Sequence, residues 1–289
     1  MGMRGARLAT GWTPSSVIQR EVNRWYEGHA ELWRDIYQQV SVSSRIRQHR
    51  LSLALAYVDS LPLPAGARVL DLGSGAGLAT TALARRGQAV VAVDPAWAMV
   101  RLAREQADTA GLGRSVRLAR GDAHALGFGT TSFDLVVALG VIAWLHTPAW
   151  ALREIARVLR PGGHAIVTVG NQVGLTDLLD PALNPLLRPA RHTVRRLLEW
   201  TRMRPPKQGV LLVKHRPSQF DRLLVESGFQ KLRGETFGFG PFTFMEHHVL
   251  SDRVALAIDA KLQHLAELGT PGVRASGAEY IVLARRSRE

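Results

Sequence analysis

An α/β fold with a doubly wound, mostly parallel sheet is predicted by three features of this chain. Apolar runs of four to seven residues alternate with stretches of helical periodicity, the pattern of strand–helix units whose sheet is covered on both faces. A glycine-rich turn, Gly73-Ser74-Gly75-Ala76-Gly77, joins the first run directly to a helical stretch. Asp71, Asp94 and Asp122 fall at or just after the ends of three successive runs. A parallel sheet brings such residues to one edge, where open α/β folds bind ligands.

Taken in order, residues 15–60 read as helical, with Val17, Trp25, Leu32, Trp33, Ile36, Tyr37 and Val40 at roughly helical spacing. The stretch Pro62-Leu63-Pro64-Ala65-Gly66 ends that helix. Strands are predicted over 68–72, 89–93, 116–119, 133–139 and 164–169, and helices over 78–86, 97–110 and 148–159, the last stopped by Pro161-Gly162-Gly163. Residues 171–217 form an insertion far longer than the usual strand-to-helix connection. From 188 to 216 it carries Arg188, Arg191, Arg195, Arg196, Arg202, Arg204, Lys207, Lys214 and Arg216 against one acid, Glu199, with Leu186, Leu187, Val194, Leu197, Leu198 and Trp200 as an apolar component. A helix over 218–227, a strand over 231–237, a helix over 250–268 and a strand over 279–284 complete the chain. The organisation predicted is an N-terminal helical cap (1–60), a core (61–170), a basic helical lid (171–217) and a C-terminal part of the core with substrate-side elements (218–289).

Composition narrows the function. The absence of cysteine rules out a disulfide framework, a thiolate metal site and a thiol nucleophile, and fits a reducing cytoplasm. No apolar run follows Arg4 and Arg7, so no secretory signal is read, and the apolar stretch 135–145 is too short to cross a bilayer. The net charge of +13 raises a nucleic-acid reading, but the cations are mostly arginines and no RNA-binding module or aromatic–basic stacking strip accompanies them. The basic amphipathic insertion instead suits a lid over an acceptor, with peripheral contact to an anionic membrane through 183–216 as a further option.

Glycines let a backbone turn sharply and approach a ligand, and the helix that follows offers free N–H groups. A dinucleotide fingerprint would need a further glycine where Leu78 or Thr80 stands. The segment Asp71-Leu72-Gly73-Ser74-Gly75-Ala76-Gly77 instead resembles the first motif of class I S-adenosylmethionine-dependent methyltransferases, whose fold is a Rossmann-like α/β sheet. The resemblance continues in order. It includes Asp94 at the second strand's end, the segment Pro95 to Met99, Gly121-Asp122-Ala123, the run Phe133 to Val137, and the stretch from Leu152 to Gly163. It implies S-adenosyl-L-methionine as cofactor and S-adenosyl-L-homocysteine as product. Asp71, Gly73, Ser74, Gly75 and Gly77 would form the cofactor turn and Asp94 would accept from the ribose. Ala96, Trp97 and Met99 would pack around the adenine, Asp122 would accept from the adenine amino group, and Ala123 and Leu139 would also contact the cofactor. In the N-terminal stretch, Trp33-Arg34-Asp35-Ile36-Tyr37 followed by Arg47 and His49 resembles the ubiquinone-type and porphyrin-type small-molecule branches, over too short a match to assign a substrate.

The same resemblance argues against two branches. The Asp/Asn-Pro-Pro-Tyr/Phe sequence of amino methyltransferases acting on DNA is replaced by Leu139-Gly140-Val141-Ile142, and Gly140 stands where metal-dependent relatives place an acidic ligand, so no metal is expected. For an oxygen acceptor, His146 is the best-placed catalytic base, with His215, His247 and His248 as alternatives. Phe237, Phe239, Phe242 and Phe244 line either an apolar acceptor pocket or the core, and Trp25, Tyr26, Trp33 and Tyr37 would close over the cofactor. Asp134, Glu154 and Arg157 read as structural. The preferred reading is methyl transfer to oxygen of a small, largely apolar metabolite. An RNA methyltransferase and a cofactor-binding protein without transferase activity stay open as alternatives.

Overall fold

The computed structural model describes residues 15–29, 33, 40–187, 213–245 and 247–288. Its first helix, α1, runs Ser15–Gly28 and the second, α2, Val42–Asp59. The helical stretch expected over 15–60 is therefore broken before α2, where extended Ser41 caps the new helix by accepting from the Ser44 amide.

The sheet follows the alternating pattern of the sequence. Strands β1 (Arg68–Leu72), β2 (Ala89–Asp94), β3 (Val116–Arg120), β4 (Phe133–Ala138) and β5 (Leu159–Asn171) are joined through helices α3 (Leu78–Ala84), α4 (Trp97–Thr109) and α5 (Pro148–Val158). Strand β5 begins earlier than the predicted 164. The Pro161-Gly162-Gly163 stop ends α5 without preventing the chain from entering the strand, and Phe133 already pairs with Leu159. After β5 come α6 (Leu175–Leu179), the two-residue β6 (Lys214–His215), α7 (Pro217–Glu226), β7 (Phe229–Phe237), a small hairpin of β8 (Thr243–Phe244) with β9 (His247–His248), α8 (Asp252–Glu267) and β10 (Glu279–Arg286).

The strand order is β3-β2-β1-β4-β5-β10-β7, with β6 paired to the end of β5. Strand β10 is antiparallel to both neighbours, whereas β1 to β5 are parallel. The order reverses between β1 and β4, so the loops leaving these two strands diverge and open a crevice at their C-terminal ends.

Strand side chains alternate between two cores. Leu70, Leu72, Val136, Val167 and Val282 pack under Leu152 and Ile155 of α5 and Phe220 and Leu224 of α7. Val69, Leu135, Val137, Ile166 and Ile281 pack under Ile46, Ala54, Tyr57 and Val58 of α2, with Leu83 and Ala107 alongside. Residues 42–59, expected in the cap, thus belong to the core layer. Residues 188–212, which carry most of the basic lid, lie outside the described residues, as does Tyr37. Of the insertion's described part, Lys214 joins the sheet through β6 and pairs with Asp177. Among the described residues no helix is long and apolar enough to cross a membrane.

Candidate active site

Segments from along the whole described chain converge on the crevice. The Gly73 and Ser74 amides both donate to Val93 O, at 2.7 and 3.1 Å, which ties the turn after β1 to the end of β2. Gly73, Gly75 and Gly77 all adopt positive φ, a backbone region that side chains disfavour. They serve different ends. A Cβ on Gly73 would collide with Val141, one on Gly77 would stand 2.8 Å from the Ala103 Cα of α4, and one on Gly75 would meet nothing within 4 Å. Gly75 therefore keeps the backbone open toward the cavity, while Gly77 caps α3 and lets it touch α4.

The acids are fixed before any ligand arrives. Asp71, fully buried, accepts the Thr80 hydroxyl at 2.5 Å, and burial pushes its carboxyl up to about 6 against that hydrogen bond. Asp94 accepts from the Ala96 amide at 2.9 Å and the Gly75 amide at 3.1 Å, yet burial again pushes it up to about 6. Asp122 is half exposed and lies below the usual carboxylate range, because His124 donates to it from both its backbone N and Nδ1, each at 2.9 Å.

These groups line a cavity of about 580 Å³. Its wall includes Asp71 to Ala76, Asp94, Pro95, Met99, Gly121 to Ala123 and Leu139. Gln19, Val22, Asn23 and Tyr26 of α1, Trp33, Ile46, Arg47, Arg50 and Leu51 near and on α2, Trp144, Asp177, Lys214, Pro241 and Glu279 also line it, with Tyr26 and Trp33 packed against the cluster of Ala96, Ala98 and Met99. The aromatic wall is held by mutual packing. Tyr26 contacts Trp33 at 5.4 Å and Trp144 edge-on at 5.4 Å, and Trp25 stacks behind Trp144 at 6.3 Å. Glu27 accepts the Ala98 amide at the start of α4, which docks α1 on the rim.

Most of the residues expected at the cofactor site stand on this wall: Asp71, Gly73, Ser74, Gly75, Asp94, Met99, Asp122, Ala123 and Leu139. Four expectations are corrected by position. Trp97, first in α4, is half exposed and off the wall, because it points away from the turn that Met99 faces. Ala96 is buried behind Asp94 and contributes its amide, and Gly77 packs on Ala103. His146 is not on the wall either. It stacks on His124 at 4.1 Å and contacts Gln19 at 3.3 Å, and burial lowers its pKa. Of the other histidines, His215 packs on Phe220 and His247 and His248 lie in the exposed hairpin.

For the aromatic run, the core alternative holds at Phe237 and Phe239. Phe237 and Phe239 are fully buried, Phe242 packs on the α2 core and Phe244 is exposed, whereas the intervening Gly240 and Pro241 line the cavity. The glycines decide this, since a Cβ on Gly238 or Gly240 would strike Ile46 or Val42, so α2 lies directly on this backbone. Arg50, Glu279, Asp177 and Gln19 were missed. Ser43, Ile46, Arg47, Arg50 and Leu51 share one helical face, and that spacing was the available signal. Asp134 accepts from the Arg68 amide and Arg160, and Arg157 bridges Glu154 to the Leu126 and Phe128 carbonyls, both structural as expected.

The chain can now be set beside known proteins. Residues 70–167 match the family model described as a methyltransferase domain. An uncharacterized methyltransferase of Mycobacterium bovis is 36% identical over 170 residues, 53% of this chain and 66% of that protein. A malonyl-[acyl-carrier protein] O-methyltransferase of Halorhodospira halophila is 37% identical over 150 residues, 51% of this chain and 47% of that protein. Across the first curated relatives the match spans 21% to 66% of their lengths, less than two thirds in each. Among solved structures, the [4+2]-cyclase SpnF superposes with a TM-score of 0.63 at 19% identity, covering 94% of this chain and 97% of that one. Magnesium protoporphyrin IX methyltransferase from Synechocystis PCC 6803, solved with bound S-adenosylhomocysteine, gives 0.61 at 18% identity, covering 93% of this chain and 100% of that one. At such identities the structures speak for the fold alone. Over residues 70–167, where the motifs are met in order along one sheet edge, the chain carries a methyltransferase domain.

Proposed function

We propose that this protein binds S-adenosylmethionine on the glycine turn that lines the cavity and transfers its methyl group to an oxygen of a small, largely apolar metabolite held in the same cavity. One observation carries the reading: the glycine turn and the aromatic wall border a single cavity, so donor and acceptor can meet without crossing protein. The cradle fits the cofactor. Gly75 leaves its backbone face open, and the buried Ser74 hydroxyl has no hydrogen-bond partner among the described residues.

When bound, the cofactor supplies a methyl group activated on a sulfonium. Asp94 would accept from its ribose hydroxyls, Asp122 and the Ala123 backbone would meet the adenine edge, Met99 would pack on the ring, and the ionised Asp71 and Asp94 would complement positive charge. Tyr26, Trp33 and Trp144 would exclude water and orient the acceptor. The relatives named as O-methyltransferases of small or carrier-borne acceptors support an oxygen acceptor.

Calorimetry with S-adenosylmethionine and S-adenosylhomocysteine, followed by labelled-methyl transfer to a metabolite extract, tests the proposal. Binding of both with label appearing in a small organic product is expected. Asp94→Ala should weaken binding by about 1.5–3 kcal/mol, the usual worth of a charged hydrogen bond. Binding without transfer to any metabolite would reject the transferase reading, and label in RNA would replace the acceptor class.

A further inference from the structure

Asp122 and Asp94 both stand on the cavity wall but are held differently. Asp94 has a backbone donor on each carboxylate oxygen, Ala96 on Oδ1 and Gly75 on Oδ2. On Asp122 the amide and the ring Nδ1 of His124 both donate to the same oxygen, Oδ1, each at 2.9 Å. Its Oδ2 accepts no hydrogen bond among the described residues. The backbone beneath is fixed as well, since the Gly121 amide donates to the Asp94 carbonyl at 3.2 Å and the Ala125 amide to the Asp122 carbonyl at 3.1 Å. The Asp122 side chain is half exposed on the wall, whereas that of His124 is only 7% exposed and stands behind it.

The turn itself needs only the amide, because an aspartate side chain that accepts from the backbone two residues on closes a common turn unaided. The second donor on the same oxygen is an addition to that turn. Nδ1 carries the proton, since an ionised carboxylate at 2.9 Å can only accept. On the far side of the ring Nε2 is buried with no partner, so the bond to Asp122 is the ring's one hydrogen bond among the described residues. His146 backs the ring at 4.1 Å between centroids and in turn contacts Gln19 at 3.3 Å. A carboxylate gripped twice at one oxygen cannot rotate without breaking both bonds, and a side chain ordered beforehand loses less entropy when a ligand arrives.

We infer that His124 is the positioning residue of the subsite for the cofactor's base: by holding Oδ1 it presents Oδ2 as a fixed acceptor, and this makes the site select an amino purine over an oxo purine. The inference rests on the cofactor reading proposed above. The amino group of adenine donates to Oδ2, whereas the carbonyl oxygen at the same place in hypoxanthine would set two acceptors face to face. A mobile carboxylate could turn away from that oxygen, and a fixed one cannot. His124, off the wall, acts through Asp122 alone.

The probes are S-adenosylhomocysteine and S-inosylhomocysteine, which carries a carbonyl oxygen in place of the amino group, each titrated into the full chain by calorimetry. The natural chain should bind the adenine compound about tenfold or more tighter, as expected for one charged hydrogen bond. His124→Phe keeps a ring against His146 and removes the donor, and should cut that ratio by about threefold or more, the usual cost of ordering one side chain at a binding surface. His124→Asn, whose Nδ2 can stand in for Nδ1, should restore the ratio. A merely structural histidine would weaken both compounds alike, so a ratio that survives His124→Phe, or that His124→Asn does not restore, overturns the inference. Should His124→Phe fail to fold, Asp122→Asn decides. The two donors would keep the amide oxygen and turn Nδ2 toward the ligand, so that S-inosylhomocysteine becomes the tighter of the two, and a preference that stays with adenine overturns the inference. Binding of neither compound by the natural chain rejects the cofactor reading and the inference with it, whereas equal binding of both rejects the role of His124 alone and leaves the cofactor reading standing.

Discussion

Gly77 meets Ala103 backbone to backbone: a Cβ on the glycine would stand 2.8 Å from the Ala103 Cα, and its φ of 86° already disfavours any side chain. The contact joins α3 to α4 beneath the glycine turn. Gly77→Ala should therefore cost roughly 2–4 kcal/mol of stability, from left-handed backbone strain plus forced separation of the helices. Gly75→Ala, with open space around it, should cost only about 1 kcal/mol while weakening S-adenosylhomocysteine binding. Denaturant midpoints and calorimetry on the two variants check the split, and equal losses of stability would refute it.

The buried acids give the protein a pH signature. Asp71 and Asp94 have carboxyls raised to about 6 by burial, so the stability each contributes is fully present below the ordinary aspartate value and is lost as pH rises through about 6. Asp71→Asn keeps an acceptor for Thr80 and removes the titration. Denaturation from pH 4 to 7 should show the natural chain losing stability relative to this variant, on the order of 2 kcal/mol by the top of the range. Parallel curves would mean that Asp71 is not buried as an anion.

Cofactor affinity should carry the same inflection. If ribose hydroxyls and positive charge engage ionised Asp94, binding must expel its proton below about 6. The dissociation constant for S-adenosylmethionine should then rise by up to about tenfold per pH unit as pH falls below that point. Asp94→Asn should flatten the profile while raising its floor. A profile unchanged by that substitution would assign the proton to another group.

Arg157 fastens the connection between β3 and β4. It donates to the Phe128 carbonyl at 2.7 Å, the Leu126 carbonyl at 2.9 Å and Glu154, which in turn accepts the Leu126 amide. Since this connection begins with Gly121-Asp122-Ala123 on the cavity wall, Arg157→Ala should cost about 2 kcal/mol and loosen S-adenosylhomocysteine binding as well. Arg157→Lys should restore only part, because an ammonium cannot span the fork. Thermal melts with and without ligand measure both effects.

His146 tests the chemistry by omission. Off the cavity wall and stacked on His124, it is placed to support the loop after Asp122. With any acceptor that turns over, His146→Ala should change kcat by a small factor against the hundredfold or greater loss, roughly, that removal of a general base brings. A loss of that larger size would restore the catalytic role.

What the sequence alone determined was everything governed by short-range periodicity and backbone permission. Strand runs such as 68–72, the three acids at strand ends and the glycine turn all appear in the structure where the sequence put them, because a parallel strand buried on both faces demands a continuous apolar run and a tight turn demands glycine. The tertiary structure alone decided which side chains share the cavity. Arg50 and Glu279 are 229 residues apart and meet only because β10 inserts beside β5 and α2 lies over it. The phenylalanines at 237 and 239 went to the core because α2 presses on the glycines between them, and Trp97 turned outward by its angle on α4. Periodicity fixes which face of an element is buried, but whether that burial ends in a core or at a ligand depends on which distant element packs on it.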